Sequence, residues 1–314
     1  MNKTKIEWVR NPDGSQGFTC NSKTGCLNHT PKGLCLGGLF PCYAFRLAHG
    51  RLRERYLANW NVSPPALIPY GMWYTAPSHN PFYPRWWPDR LEQIRSHKKP
   101  AGIFLDDMSD WMGDYWPEEW TEMELQVMRD CPQHRFYTLT KQPQNLLRWS
   151  PYPENCWLGV TVTSVDKFKE AYEGLDCSIA TVHFISFEPL LSRMGDDAIN
   201  LIGDSHYHWL DWLIIGAMTG TKVDLLQAAN KIRGNNPPLD LALMPYKNRW
   251  TLQPSVESVE EIVGAADKAG IPVFLKNNLM PLMERVSPLV AENLRQEVPD
   301  RGSFLSSYAE GVER

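Results

Sequence analysis

From Gly102 onward the sequence repeats a short apolar run, a polar cluster and an amphipathic segment, the grammar of consecutive βα units. The runs read as strands are 102–105, 136–139, 157–162, 182–185, 212–215 and 272–275. Their hydrophobicity is nearly continuous instead of alternating, so both faces are expected to be covered. One helix is predicted from Pro117 through Met128, with Glu118 and Glu119 near its positive end. Another runs from Ser255 to Ala269, with Ser255 as N-cap and Gly270 just beyond the end. Six such strands, with a seventh running into an N-terminal cysteine segment, predict an α/β fold. It is a complete or partial (β/α) barrel of about six or seven parallel strands, and an open doubly wound sheet shares the same periodicity.

Each strand ends in residues a core does not require. In order these are 106–110, 140–142, 161–164, 186–189, 216–220 and 276–278. Any one of them reads more naturally as a cap or a solvated loop, but six polar ends in succession favour a site, because ligands bind at that rim of parallel α/β folds. The Pro- and aromatic-rich segment 59–99 is either a stacking platform or lid, or a connector packing its rings onto the surface.

A net charge of -4 over 314 residues, with 43% hydrophobic and 22% charged residues, describes an ordinary globular chain and argues against sequence-blind adhesion to nucleic acid. A local basic groove remains compatible with it. No apolar run spans a membrane and no secretory signal opens the chain, so a cytoplasmic location without membrane contact is expected. The expected division is a barrel domain over 1–284, containing a cysteine loop at 20–43 and the insertion 59–99, followed by an extension over 285–314.

Four of the seven cysteines fall early, at Cys20, Cys26, Cys35 and Cys42, in a segment rich in Gly and Pro. In a reducing compartment such a cluster points to metal or redox chemistry. On spacing alone, zinc completed by Cys20 or His29 and an iron-sulfur cluster stand level. The zinc alternative would make the chain a non-catalytic nucleic-acid-binding protein. Cys131, Cys156 and Cys177 precede strands and read as structural thiols at the opposite end of a barrel.

Short motifs carry a resemblance beyond spacing. Thr4-Lys5-Ile6-Glu7-Trp8, Thr24-Gly25-Cys26, Pro41-Cys42-Tyr43-Ala44, Asp107-Met108-Ser109-Asp110, Leu139-Thr140-Lys141-Gln142-Pro143, Ser186-Phe187-Glu188-Pro189-Leu190-Leu191 and Leu210-Asp211-Trp212-Leu213-Ile214-Ile215-Gly216 occur in that order. Together they resemble the phage-associated three-cysteine-motif family, a radical S-adenosylmethionine (SAM) branch distantly like spore photoproduct lyase. The resemblance implies a partial barrel of the radical SAM type that carries a [4Fe-4S] cluster on Cys26, Cys35 and Cys42. SAM would chelate the fourth iron and be cleaved to a 5′-deoxyadenosyl radical, and the substrate would be a nucleic-acid base or nucleotide to be modified or repaired. An external donor such as flavodoxin or ferredoxin would supply the electron. Ser109 and Asp110 would hold the SAM amino group and Lys141 its carboxylate or a substrate phosphate. Thr161, Thr163, Ser186 and Glu188 would take ribose hydroxyls or substrate, with Lys276 closing the far side. The spacing here is C-x8-C-x6-C in place of the superfamily's C-x3-C-x2-C, and Cys20 is the fallback third ligand. Ala217-Met218-Thr219-Gly220 stands where related chains carry a second Gly and an acid.

Overall fold

A computed structural model describes residues 1–67, 76–233 and 241–300. Part of the insertion 59–99 and the end of the extension 285–314 therefore lie outside the described residues. The strands are β1 (Asn2–Lys3), β2 (Phe18–Cys20), β3 (Lys23–Thr24), β4 (Arg85–Trp86), β5 (Gly102–Leu105), β6 (Arg135–Thr140) and β7 (Cys156–Thr161), followed by β8 (Val182–Phe187), β9 (Trp212–Ile215), β10 (Met218–Gly220), β11 (Ala242–Tyr246), β12 (Arg249–Gln253) and β13 (Val273–Leu275). One sheet runs β1-β2-β5-β6-β7-β8-β9-β13, and every pair from β2 to β13 is parallel. The six runs read from the sequence are all present, and β2 is the seventh strand entering the cysteine segment.

Strand order follows chain order without reversal, so the sheet winds one way. A doubly wound sheet would reverse at a switch point. Trp8 shows that the sheet is also curled. Its ring lies 4.9 Å from Phe104 on β5, 5.6 Å from Tyr137 on β6, 5.9 Å from Phe184 on β8 and 6.1 Å from Trp212 on β9. In a flat sheet β5 and β9 would stand about 19 Å apart, at roughly 4.8 Å per strand. One indole reaches both only if the sheet closes around it, which makes the fold a partial (β/α) barrel.

Register assigns the two faces. Phe104, Tyr137, Trp157, Phe184, Trp212, Ile214 and Phe274 share one parity and fill the inside with Trp8 and Val9. The alternate residues, among them Ile103, Leu158, Val160, Ile185, Leu213 and Val273, pack outward beneath helices Glu118–Asp130, Val165–Asp176, Gly195–Ile202 and Val256–Ala269. Burial on both faces is why these runs show no polar alternation. Ser255 caps the last helix, its Oγ accepting from Ser258 N at 3.2 Å, and Gly270 ends it at φ 69°.

The chain closes the barrel floor from both sides. Residues 295–297 pair along β13, and Trp212 Nε1 donates to the Glu297 carbonyl at 2.9 Å. The expected boundary at Glu284 therefore precedes a stretch bonded into the barrel. A second, antiparallel sheet, β10-β12-β11, packs with helix Lys222–Arg233 beside the end of β9. It has no counterpart in the sequence reading, where 216–220 is a rim loop.

Candidate active site at the barrel mouth

The same parity that builds the aromatic floor directs Lys141, Thr161, Ser186, Glu188, Gly216 and Lys276 inward at the C-terminal ends of the strands. Thr161 and Ser186 face each other across β7 and β8. Both are buried, at 4% and 0% exposure, and among the described residues Thr161 Oγ1 and Ser186 Oγ have no hydrogen-bond partner. Buried hydroxyls are nearly always satisfied, so this pair marks a place for a ligand or ordered water.

Above them lies the cysteine loop. Leu36 N donates to Asn28 O, Cys35 N to Phe40 O and Cys42 N to Gly33 O, and bridges join His29 with Cys35 and Leu34 with Pro41. The loop is thus a folded hairpin, and its tip rests on the barrel. Thr163 Oγ1 donates to Gly37 O at 2.6 Å. A Cβ on Gly38 would stand 2.7 Å from that same hydroxyl, and one on Gly37 would stand 2.9 Å from Lys141 Cδ, so the glycine pair permits the close approach. At the root, β3 pairs with β4 and Cys26 N donates to Phe82 O. Gly25, at φ 90°, presses against the carbonyls of Phe82 and Tyr83.

The described part of segment 59–99 buttresses the cysteine loop. Arg85 is fully buried and donates to the carbonyls of Asn59, Pro77 and Asn80. Trp86, also buried, stacks on Trp120 at 5.3 Å.

The three thiols of Cys26, Cys35 and Cys42 fall within one another's electrostatic reach, and Lys141 feels all three. Burial raises the Cys26 thiol well above its ordinary range, pushes Cys35 up to about 11 and raises Cys42. Burial opposes the Lys141 ammonium, but Cys35, Asp110, Cys42 and Cys26 outweigh it and raise its pKa. Cys42 also caps helix Tyr43–His49, with its Sγ accepting from Phe45 N at 3.5 Å.

Among the described residues no three His, Cys, Asp or Glu side chains are gathered tightly enough to hold a single ion. A lone zinc needs sulfurs about 2.3 Å from one point, whereas a cubane spreads its thiolates over separate corners. Cys26, Cys35 and Cys42 are soft sulfur donors on one loop, of the type that iron-sulfur clusters and zinc both take, and ligation would deprotonate thiols that burial otherwise keeps neutral. Cys20 stands elsewhere. It sits on the outer face of β2 with Leu91, Ile94 and Leu105, its Sγ directed at Arg90 O at 3.5 Å, so the four-cysteine zinc set is not assembled. His29 places Nδ1 2.7 Å from Thr30 O and packs its ring on Phe45 and Phe82.

The remaining rim residues are engaged within the protein. Asp110 accepts from Thr140 Oγ1 at 2.5 Å and from Lys141 N at 3.1 Å, locking the end of β6 to the loop after β5. Ser109 Oγ contacts Asp106 O at 3.4 Å, and Ser109 pairs with Gly25. Lys276 forms an ion pair with Glu188 and lies 3.9 Å from Glu7. Asn278 bonds both backbone groups of Ala217, at 3.1 and 2.8 Å, and so ties the second sheet to the rim. Sequence reasoning missed Asp106, buried at φ 61° with one carboxylate oxygen unpartnered among the described residues. Its other oxygen accepts from Lys23 N at 2.8 Å, beside the buried Lys23–Glu124 ion pair at 2.8 Å. Burial, reinforced by Glu124, raises the Asp106 pKa well above the carboxylate range.

A search of curated proteins finds no match. Among solved structures the chain is similar to spore photoproduct lyase complexed with dinucleoside spore photoproduct, at 11% identity and a TM-score of 0.44, covering 88% of this chain and 79% of that one. A double mutant of that lyase with bound AdoMet and dinucleoside spore photoproduct matches at 10% identity and a TM-score of 0.42, covering 85% and 77%. Among the described residues no helix is long and apolar enough to cross a membrane. Residues 3–233 match the family described as a protein of unknown function, DUF5131, and since that match covers most of the sequence, the chain belongs to that family.

Proposed function

We propose that this chain is a radical SAM enzyme that holds a [4Fe-4S] cluster on Cys26, Cys35 and Cys42 and acts on a nucleic-acid base or nucleotide. The finer placement, in the phage-associated three-cysteine-motif branch, rests on the order of motifs between Thr4 and Gly216. One observation carries the reading: Cys26, Cys35 and Cys42 lie on one loop whose tip is bonded to the mouth of a parallel barrel, where Thr161 and Ser186 offer buried hydroxyls without partners among the described residues. Bound and reduced, the cluster would supply the electron that opens the sulfonium of SAM; the hard chemistry is the cofactor's.

The residues supply position and exclusion. Thr161 and Ser186 suit ribose hydroxyls, with Thr163 held beside them by Gly37. The Asp110 carboxylate, with Ser109 next to it, places negative charge where an ammonium group of SAM would be held. The Lys141 ammonium compensates the charge of thiolates and carboxylate. Glu188 and Lys276, already paired, form the far wall, and the floor around Trp8 excludes water from below. An external flavodoxin or ferredoxin is the expected electron donor.

Anaerobic reconstitution tests the reading. The wild-type chain should bind about four irons, as a cubane requires, and release 5′-deoxyadenosine when given SAM and dithionite. Cys26→Ala, Cys35→Ala and Cys42→Ala should each lose the iron and its paramagnetic resonance signal, while Cys20→Ala keeps both. A colourless chain holding one zinc, or iron lost only in Cys20→Ala, would overturn it.

A further inference from the structure

A cleft of about 750 Å³ opens beside the helix that follows the cysteine loop. One wall is helix Tyr43–His49 and the turn after it, presenting Tyr43, Arg46, Leu47 and Arg51. The other is the second sheet, presenting Arg249 and Trp250, with Lys222 at the start of helix Lys222–Arg233. Arg51, Lys222 and Arg249 are exposed, and among the described residues no carboxylate lies within ion-pair distance of them. Asp224 spans the walls to Arg46 at 3.3 Å, an exposed pair that a stronger anion would displace, and Asp107 and Glu188 lie within electrostatic reach of Tyr43. On a chain of net charge -4 this is a concentrated cationic surface.

Its geometry is specific as well. Tyr246 pairs with Arg249, which leaves Lys247 and Asn248 as the two residues of a tight hairpin turn. Lys247 adopts φ 53°, a conformation such turns normally reserve for Gly, Asn or Asp. Its ammonium lies 5.0 Å over the Tyr246 ring, outside the cleft lining, while Asn248, the other turn residue, lines the cleft. Lys222 lies 4.8 Å over the Trp250 ring, which presents an aromatic face inside the cleft.

We propose that this cleft holds the sugar-phosphate backbone of single-stranded nucleic acid, with Arg46, Arg51, Lys222 and Arg249 on the phosphates and Trp250 or Tyr43 stacking a base. Basic grooves interleaved with aromatic rings suit single strands, and concavity favours a flexible chain over a flat protein or bilayer face. Tyr43 is the neighbour of Cys42, so a strand in the cleft would pass one residue from a cluster ligand. The proposal deepens the assigned function, and only that last step rests on it.

The test is fluorescence anisotropy of the full-length chain with a labelled twelve-nucleotide oligothymidine and its ribose counterpart, without SAM or reductant, across a salt series. The triple variant Arg51→Ala, Lys222→Ala, Arg249→Ala should bind both probes at least tenfold more weakly. Its salt dependence should be shallower by about two, at roughly 0.7 per lost phosphate contact. Arg51→Lys with Arg249→Lys should retain most of the binding. A control of equal charge change outside the cleft, Lys98→Ala, Lys169→Ala, Lys268→Ala, should bind as wild type. The proposal falls if wild type ignores both probes, if the control loses as much as the cleft variant, or if an acidic flavodoxin binds there instead. A chain that holds the probes through these residues yet never carries iron sinks the radical reading and leaves the cleft. A chain that carries the cluster and ignores the probes does the reverse.

Discussion

Thr161 and Ser186 show how a single position can be tuned for something other than stability. A buried hydroxyl without a partner costs about 1 to 3 kcal/mol, and two of them sit side by side on paired strands. Thr161→Val keeps the shape and removes the orphan. It should therefore stabilise the ligand-free chain by about 1 kcal/mol in urea denaturation, while weakening SAM binding by isothermal calorimetry at least tenfold. Unchanged SAM affinity would remove this pair from the site. Both residues were legible in the sequence as polar ends of apolar strands. Asp110 was legible as a rim residue and, through the resemblance, as a partner for the SAM amino group, but not as a tie to Thr140 and Lys141 N, which lie some thirty positions away in the chain. Nothing local records that its carboxylate is tied to the end of β6.

At the scale of elements, agreement follows burial. Strands β5 to β9 and β13 lie where continuous apolar runs place them, within two residues at either end, because both faces are covered. The antiparallel sheet β10-β12-β11 was invisible for the opposite reason. Pro245 sits within β11, Arg249 and Gln253 bound β12, and much of the exposed surface is polar, so no run stands out. The cysteine loop was read as an open loop able to fold around a small object. Its hairpin bonding is local, within residues 28–42, whereas its buttress of buried Tyr83, Arg85 and Trp86 comes from contacts across some sixty residues. Gly25 is the hinge of that arrangement. Gly25→Ala would bring a Cβ within 2.4 Å of the Tyr83 carbonyl at a φ that side chains disfavour. It should cost roughly 1 to 3 kcal/mol by thermal or urea unfolding and lower iron content under reconstitution. Normal iron content in a destabilised Gly25→Ala chain would show that the root of the loop does not set the positions of the sulfurs.

The whole molecule is held by what fills its curl. Trp8 reaches four strands and lies at 1% exposure, so Trp8→Ala should destabilise the chain by about 3 to 5 kcal/mol, read from the urea midpoint. A cost below about 1 kcal/mol, typical of a surface change, would mean that the indole is not what the sheet closes around. From the sequence this residue was part of a motif with no assigned task, since a plug has no periodicity to betray it. The cysteine loop has a different consequence at this scale. Rungs from His29 to Cys35 and from Leu34 to Pro41 tie its two arms together, while Gly25 anchors one end and the helix after Cys42 the other. Extra residues accommodated at such a tip swell outward without dragging the anchored sulfurs apart. A pattern search demanding a fixed interval between cysteines would discard this chain, and kin with still longer intervals deserve to be sought by the two anchors instead.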